Sequence, residues 1–293
     1  MKKMSKKLLA LIIVVLNCIG IIIWCSAAAS DTATVINGNV KDRLETIKEK
    51  GVLTVASSND VPFAFIDPKT NEFTGIDAEI IVEVAKLLGI NKVEMKQVPF
   101  ENLLVELNNN NDIDMITDGM YVTDERKKEA LFTNIWYKES EAIVVPKVSK
   151  IAFKEDLKNT VIGAQIGTAF LELAQKWKKD GLVKDVIIFA NQDELLSAVN
   201  TGIIDAAITD SIVAAYILSK YNSLYLKILA PYEAEAPGMI AAAVRKSDTT
   251  LADAVNEKID EMKQDKTILK ILKKYGLNEN YFVSVEDGHI SGK

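Results

Sequence analysis

The chain has 293 residues, 48% hydrophobic and 26% charged, with 35 Lys+Arg against 41 Asp+Glu. That length and composition exclude a disordered protein and suit one large or two ordinary domains with a real core. A single His (His289) and two Cys (Cys18 and Cys25, both near the N-terminus) leave the rest of the chain without His-based metal sites, Ser-His or Cys-His catalysis, or disulfides.

Lys2, Lys3, Lys6 and Lys7 precede an apolar run from Leu8 to Cys25 and the small-residue exit Ser26-Ala27-Ala28-Ala29-Ser30. Charge, apolar stretch and small residues together read as an export leader over residues 1–29, a signal peptide or a membrane attachment. Asn17 before Cys18 and Trp24 before Cys25 are both poor contexts for a lipidated cysteine. Without those four Lys the rest of the chain carries a net charge of −10, which argues against a nucleic-acid partner. Residues 30–42 are polar and read as a linker.

Strand and helix patterns then alternate. Val52–Ala56 reads as a strand, and a helix follows Ile76, with Asp77 as its N-cap and Ile80, Val84, Leu87 and Leu88 on one face. Val93–Val98 is a second strand, Phe100–Leu107 a helix and Ile113–Thr117 a third strand. The pattern restarts with a strand at Val161–Ala164, a helix at Thr168–Lys178, a strand at Val186–Phe189, a helix at Glu194–Val199 and a strand at Ala206–Thr209. Met239–Val244 reads as one more strand, and Leu251–Met262 and Thr267–Tyr275 as helices. This grammar predicts an α/β fold of mostly parallel sheets flanked by helices. Glu101–Asn108 with Ile116-Thr117-Asp118 is echoed by Asp193–Asn200 with Ile208-Thr209-Asp210, which suggests two similar lobes. Extended, Pro-containing segments at 143–147 and 235–238 are candidate crossings. The expected division is 43–145 plus 238–282 for lobe 1, 146–237 for lobe 2 and a tail at 283–293, with a two-strand hinge and a ligand crevice between the lobes.

Ligands of open α/β sheets bind beyond the carboxyl ends of the strands. Arg126 lies in the first turn of a helix beginning near Thr123, where a cation opposes the helix dipole; it either grips a carboxylate or is a solvated surface arginine, and charge pattern alone favours the second. Asp210 ends an apolar strand and either receives an ammonium group or caps the next helix. Asp60 either meets a cation or caps a turn. Gly167-Thr168 opens a helix whose amides favour an anion. Phe63, Phe65, Phe100 and Tyr121 are candidate walls, and Trp136 and Trp177 read as structural.

In order, Val61–Asp67, Thr74–Asp77, Gly119–Arg126, Gln165–Thr168, Asp205–Asp210 and Lys274–Gly276 make the chain resemble a family 3 extracellular solute-binding protein, the amino-acid receptor of an ABC importer. The resemblance spans about residues 51–275. It implies a two-lobed periplasmic-binding-protein-like fold, Arg126 on the ligand α-carboxylate with backbone near Gly119, Tyr121 and Thr168, Asp210 on the α-ammonium, and Phe100 and Phe63 as walls. Ser57, where many members carry Asp, and Tyr121, where they carry Ser or Thr, are departures; Asp60 before Val61-Pro62-Phe63 is similar to ectoine-type receptors. The expected protein is exported, periplasmic or tethered outside the cytoplasmic membrane. It is expected to be a monomer that works with an ABC permease on a zwitterionic ligand, with no metal, cofactor or catalysis. The alternatives are an enzyme resembling cyclohexadienyl dehydratase, a sensor module and a structural surface protein. The enzyme would need a general acid of shifted pKa, and no buried Glu pair is evident from sequence.

Overall fold

The computed structural model describes residues 42–290 apart from Asn222, so the expected leader and all of the linker but Asp42 lie outside the described residues. Asp42 opens the fold: its carboxylate accepts the Glu45 amide and caps α1 (Arg43–Lys50). β1 (Val52–Ser57) follows, its last five residues buried. The short strands β2 (Phe65–Ile66) and β3 (Phe73–Thr74) pair as a hairpin before α2 (Ile76–Leu87) and β4 (Lys92–Gln97). A 3₁₀ turn at Phe100–Asn102, α3 (Leu103–Asn109), β5 (Met115–Ile116), α4 (Asp124–Glu129) and β6 (Leu131–Phe132) complete the first unit. The remaining elements are β7 (Tyr137–Glu139), β8 (Glu141–Pro146), β9 (Val161–Gln165), α5 (Ala169–Lys179), β10 (Asp185–Phe189), α6 (Gln192–Asn200), β11 (Ala206–Asp210), α7 (Ser211–Lys220), β12 (Leu226–Ile228), β13 (Gly238–Ile240), β14 (Ala243–Val244), α8 (Thr249–Gln264), α9 (Thr267–Lys274) and α10 (Val285–Gly288).

Two five-stranded sheets have the orders β4-β1-β5-β14-β6 and β10-β9-β11-β8-β12. In each, the fourth strand (β14 or β8) runs antiparallel to both its neighbours, and the other four point the same way. The internal echo therefore has a structural counterpart, since β1 and β5 occupy in the first sheet the places of β9 and β11 in the second. The sheets are thus mostly parallel, as expected, but mixed, because the strand that follows each crossing, β8 or β14, enters its sheet in the reverse direction.

The crossings differ from expectation in position. β8 belongs to the second sheet, so the chain changes sheets at Ser140, ahead of the break expected after residue 145. The apolar run at 239–244 is not one strand. It divides into β13, which pairs with β7, and β14, which enters the first sheet. β7 and β13 thus form a separate two-stranded ladder where the chain passes between the sheets (Gly238 opposite Glu139, Ile240 opposite Tyr137). Residues 283–290, expected as a tail, pack onto the first unit: Val283 is buried, and Ile135 donates to the Gly288 carbonyl. Trp136 and Trp177 are buried in the core, as their apolar bulk favours.

Candidate functional site

Arg126 is placed by its own helix start. Thr123 is the N-cap of α4, and its Oγ1 accepts the Arg126 amide at 3.2 Å. From there the guanidinium turns inward. Nη1 donates to the Tyr121 carbonyl at 2.8 Å, Nη2 donates to the Gly167 carbonyl at 2.9 Å, and the cation lies 5.5 Å from the Phe100 ring centroid. The solvated-surface reading is therefore overturned, and burial lowers the arginine's pKa. Arginine remains charged even so, and its five-donor fork is not exhausted by two carbonyls. Gly167 meets Arg126 through its carbonyl rather than its amide. Thr168 caps α5, accepting the Leu171 amide and donating to the Gln165 carbonyl.

Asp210 faces Arg126 from the second sheet, and both line one small cavity with Asp60, Phe63, Phe100, Gly119, Tyr121 and Thr168. Of the predicted residues, Gly167 is missing from that wall. The lining side chains nearly meet, leaving about 10 Å³. Phe65 is not in the wall either; it sits in the β2–β3 hairpin.

Asp210 holds the N-cap position of α7 but makes no capping bond. Glu139, reaching over from β7, does that work instead: its Oε2 accepts Ser211 Oγ at 3.4 Å and the Ile212 amide at 3.3 Å. The helix-cap reading of Asp210 thus gives way to one in which its carboxylate is turned to the cavity. Gln192, in the first turn of α6, steadies it by donating Nε2 to Asp210 Oδ2 at 3.1 Å, while Gln192 Oε1 accepts Thr209 Oγ1 at 2.5 Å. Glu139 is also the buried acid that the sequence did not reveal. Burial first, and the Asp210 charge second, push its pKa well up, so Glu139 keeps the proton and Asp210 the negative charge. Burial raises Asp210 to about 6, with the Glu139 hydrogen bond and Arg126 pulling the other way.

Asp118 was missed, although the echo contained it: Ile116-Thr117-Asp118 stands to the first sheet as Ile208-Thr209-Asp210 stands to the second. It is 1% exposed, and burial raises it to about 7. The local geometry agrees. Ser57 Oγ has one proton but lies 2.5 Å from the Ala64 carbonyl and 2.6 Å from Asp118 Oδ1, so both contacts are hydrogen bonds only when Asp118 supplies the second proton. Asp118 Oδ2 accepts the Ser58 amide and hydroxyl at 2.8 and 2.6 Å. Asp60, half-buried, is pushed well up by burial and by the charges of Asp118, Asp210 and Asp193.

Asp77, expected as a helix cap, is instead a buried brace for the site. Gly75 holds the N-cap position, while Asp77 accepts the Gly119 amide at 2.7 Å and the Tyr137 hydroxyl at 2.7 Å. That bond fixes the turn at Gly119, whose φ is +61° and where a Cβ would lie 2.6 Å from the Phe63 ring; only glycine meets both demands. Tyr121 packs edge-on against Phe170, with centroids 5.4 Å apart and planes at 79°. Gln165, at the end of β9, and Ala169 and Phe170, in the first turn of α5, complete the wall; apolar and amide groups there carry no distinctive sequence signal.

The site pairs one permanent cation with several carboxylates in a space walled by aromatic rings. Such an arrangement holds a small dipolar molecule by both ends. The profile of the bacterial extracellular solute-binding proteins, family 3, matches residues 53–278. The chain is 30% identical to the L-cystine-binding protein TcyA of Bacillus subtilis (strain 168), over 93% of this chain and 97% of that protein. Among solved structures it is similar to an ancestral arginine-binding protein bound to arginine (TM-score 0.69, 32% identity, covering 77% of this chain and 98% of that one). It is likewise similar to the ancestral amino acid-binding protein AncCDT-1, a precursor of cyclohexadienyl dehydratase (TM-score 0.69, 29% identity, 80% of this chain and 99% of that one). With its two sheets, paired crossing strands and arginine–carboxylate crevice, the chain belongs to the family 3 bacterial extracellular solute-binding proteins.

Proposed function

We propose that the chain captures an α-amino acid, or a related zwitterion, outside the cytoplasmic membrane and delivers it to an ABC permease. The observation that carries this reading is that Arg126, on α4 of the first unit, and Asp210, at the end of β11 in the second, both line the wall of one cavity. The ligand carboxylate takes the Arg126 fork and replaces the Gly167 carbonyl there, while the ammonium goes to Asp210 and Asp60. Capture requires the two units, 42–139 with 238–290 and 141–237, to part and close about the β7–β13 ladder. The leader at 1–29 exports the protein, which acts as a monomer. Named relatives that bind L-cystine and arginine support the ligand class.

A dehydratase reading has the raised carboxyls in its favour, the buried Glu139–Asp210 pair and, in the cavity wall, Asp118 and Asp60. Glu139, however, caps α7 through Oε2 and does not line the cavity, and both oxygens of Asp118 are engaged by Ser57 and Ser58. A general acid must reach the reacting group, so binding is the better reading. Thermal melting with a panel of amino acids, polyamines, compatible solutes, prephenate and arogenate tests it. Saturation at a hundredfold excess over the Kd adds about 2.7 kcal/mol of stability for a true ligand. No shift with any zwitterion would refute capture, and consumption of prephenate or arogenate would establish the enzyme.

A further inference from the structure

A second and larger space adjoins the Arg126 cavity. It measures about 370 Å³ and shares two wall residues with it, Asp60 and Gln165. Around it stand three carboxylates, Asp60, Asp193 and Glu194, with the amides of Asn59 and Gln97, and its lining holds no Lys or Arg. The residues come from both units: Asn59, Asp60 and Gln97 from the first, Gln165, Asp193 and Glu194 from the second. Asp193 is close enough to Asp60 for its charge to raise the Asp60 pKa.

Asp193 and Glu194 also lie in the first turn of α6, where the helix dipole favours acids, so their presence alone would mean little. Gln165 supplies the independent sign. It is 3% exposed, forms wall for both spaces, and its Oε1 is a buried acceptor without a hydrogen-bond partner. A buried, unpaired acceptor is costly, and a donor arriving from a ligand would satisfy it.

We propose that this outer space is a subsite for the distal, positively charged group of the ligand. The occupant is an amino acid with a second basic nitrogen on an extended side chain. Its main-chain carboxylate and ammonium sit between Arg126 and Asp210, the stem passes Asp60 and Gln165, and the distal N–H groups meet Gln165 Oε1, Asp193 and Glu194. The same lining disfavours a distal carboxylate, since no cation waits for one there. It therefore sets this chain apart from its relative TcyA, because cystine ends in a second carboxylate as well as a second ammonium. The inference rests on the amino-acid capture proposed above, but its residues are not those that hold the main-chain groups.

Calorimetry with L-arginine, L-lysine, L-glutamine and L-cystine tests it, on the wild-type protein, on an Asp193→Asn, Glu194→Gln double variant and on Arg126→Ala. Both substituted acids are exposed and neither replacement changes side-chain size, so folding is not at issue. The expected result is wild-type affinity for the two basic ligands at least about tenfold above that for L-glutamine and L-cystine. In the double variant, affinity for the basic ligands falls about three- to tenfold, a range in keeping with partly solvated charge pairs. Affinity for L-glutamine stays within about twofold, and rising salt narrows the wild-type preference. Tighter binding of L-glutamine or L-cystine than of the basic ligands, or an unchanged preference in the double variant, overturns the subsite. If those results come with an Arg126→Ala variant that still abolishes binding, only the subsite falls. If none of the four binds the wild type, the subsite and the capture reading fall together.

Discussion

Arg126 and Asp210 show how far a single residue can be read without its surroundings. Both were visible as candidates, yet each had an ordinary alternative that spacing could not remove. For Arg126 the decision came from two backbone carbonyls and the Phe100 face, which draw the guanidinium inward. For Asp210 it came from Glu139, 71 positions away along the chain, which caps α7 in its place. No local pattern reports a cap supplied from another strand. Arg126→Ala should weaken binding of the best ligand at least about tenfold by calorimetry, because a bidentate charged pair contributes about 1.5–3 kcal/mol and each 1.4 kcal/mol is a decade. Glu139→Ala should act differently. It leaves the Ile212 amide without its acceptor and removes the proton-bearing neighbour of Asp210. A melting temperature lowered by several degrees is expected, from a loss of about 1–2 kcal/mol. An unchanged melting temperature would show that the cap is not supplied by Glu139.

At the scale of elements, helices with plain punctuation were legible to within a few residues, since Thr168 and Asn191 cap where polar side chains should. Strands fared worse where the tertiary structure divides one apolar run between two partners, as at 238–244. Apolar residues in a row look alike whether they fill one ladder or two. β13 has a further constraint. A Cβ on Gly238 would lie 2.0 Å from the Tyr121 ring, so the crossing strand and the Tyr121 wall fit only as a pair. Gly238→Ala should destabilise the protein by about 1–3 kcal/mol in denaturant melts, as overpacking does. Combining it with Tyr121→Ser should recover much of the loss, through the coupling expected of touching residues. Additive losses in the double variant would show that the clash is not the cause.

For the molecule as a whole, the buried acids set an uncommon response to pH. Burial raises Asp77 and Asp210 to about 6 and Asp118 to about 7. Between about pH 4 and these values the folded chain holds protons that the unfolded chain has released. Stability from these groups is therefore complete below about pH 4 and is lost as pH rises through 6 to 7. Without ligand, the melting temperature should be higher at pH 5 than at pH 8 by at least about 4 °C. Asp118→Asn should flatten that dependence, because the amide cannot ionise. A melting temperature that climbs from pH 5 to pH 8 would contradict the assignment. The proposed capture, in which the two units close on the ligand, predicts that binding shrinks the radius of gyration in solution scattering.

From composition and periodicity alone came the alternation of strands and helices, the shortage of His and Cys that speaks against His-based metal sites and thiol chemistry, the acidic balance that speaks against a nucleic-acid partner, and the echo between the two halves. These are properties of neighbours in sequence, and near neighbours obey periodicities of 2.0 and 3.6. Only the folded arrangement decided where the chain changes sheets, which carboxylates keep their protons, and which are turned toward Arg126. Those outcomes depend on burial and on partners tens of residues apart, and both are created when the sheets assemble.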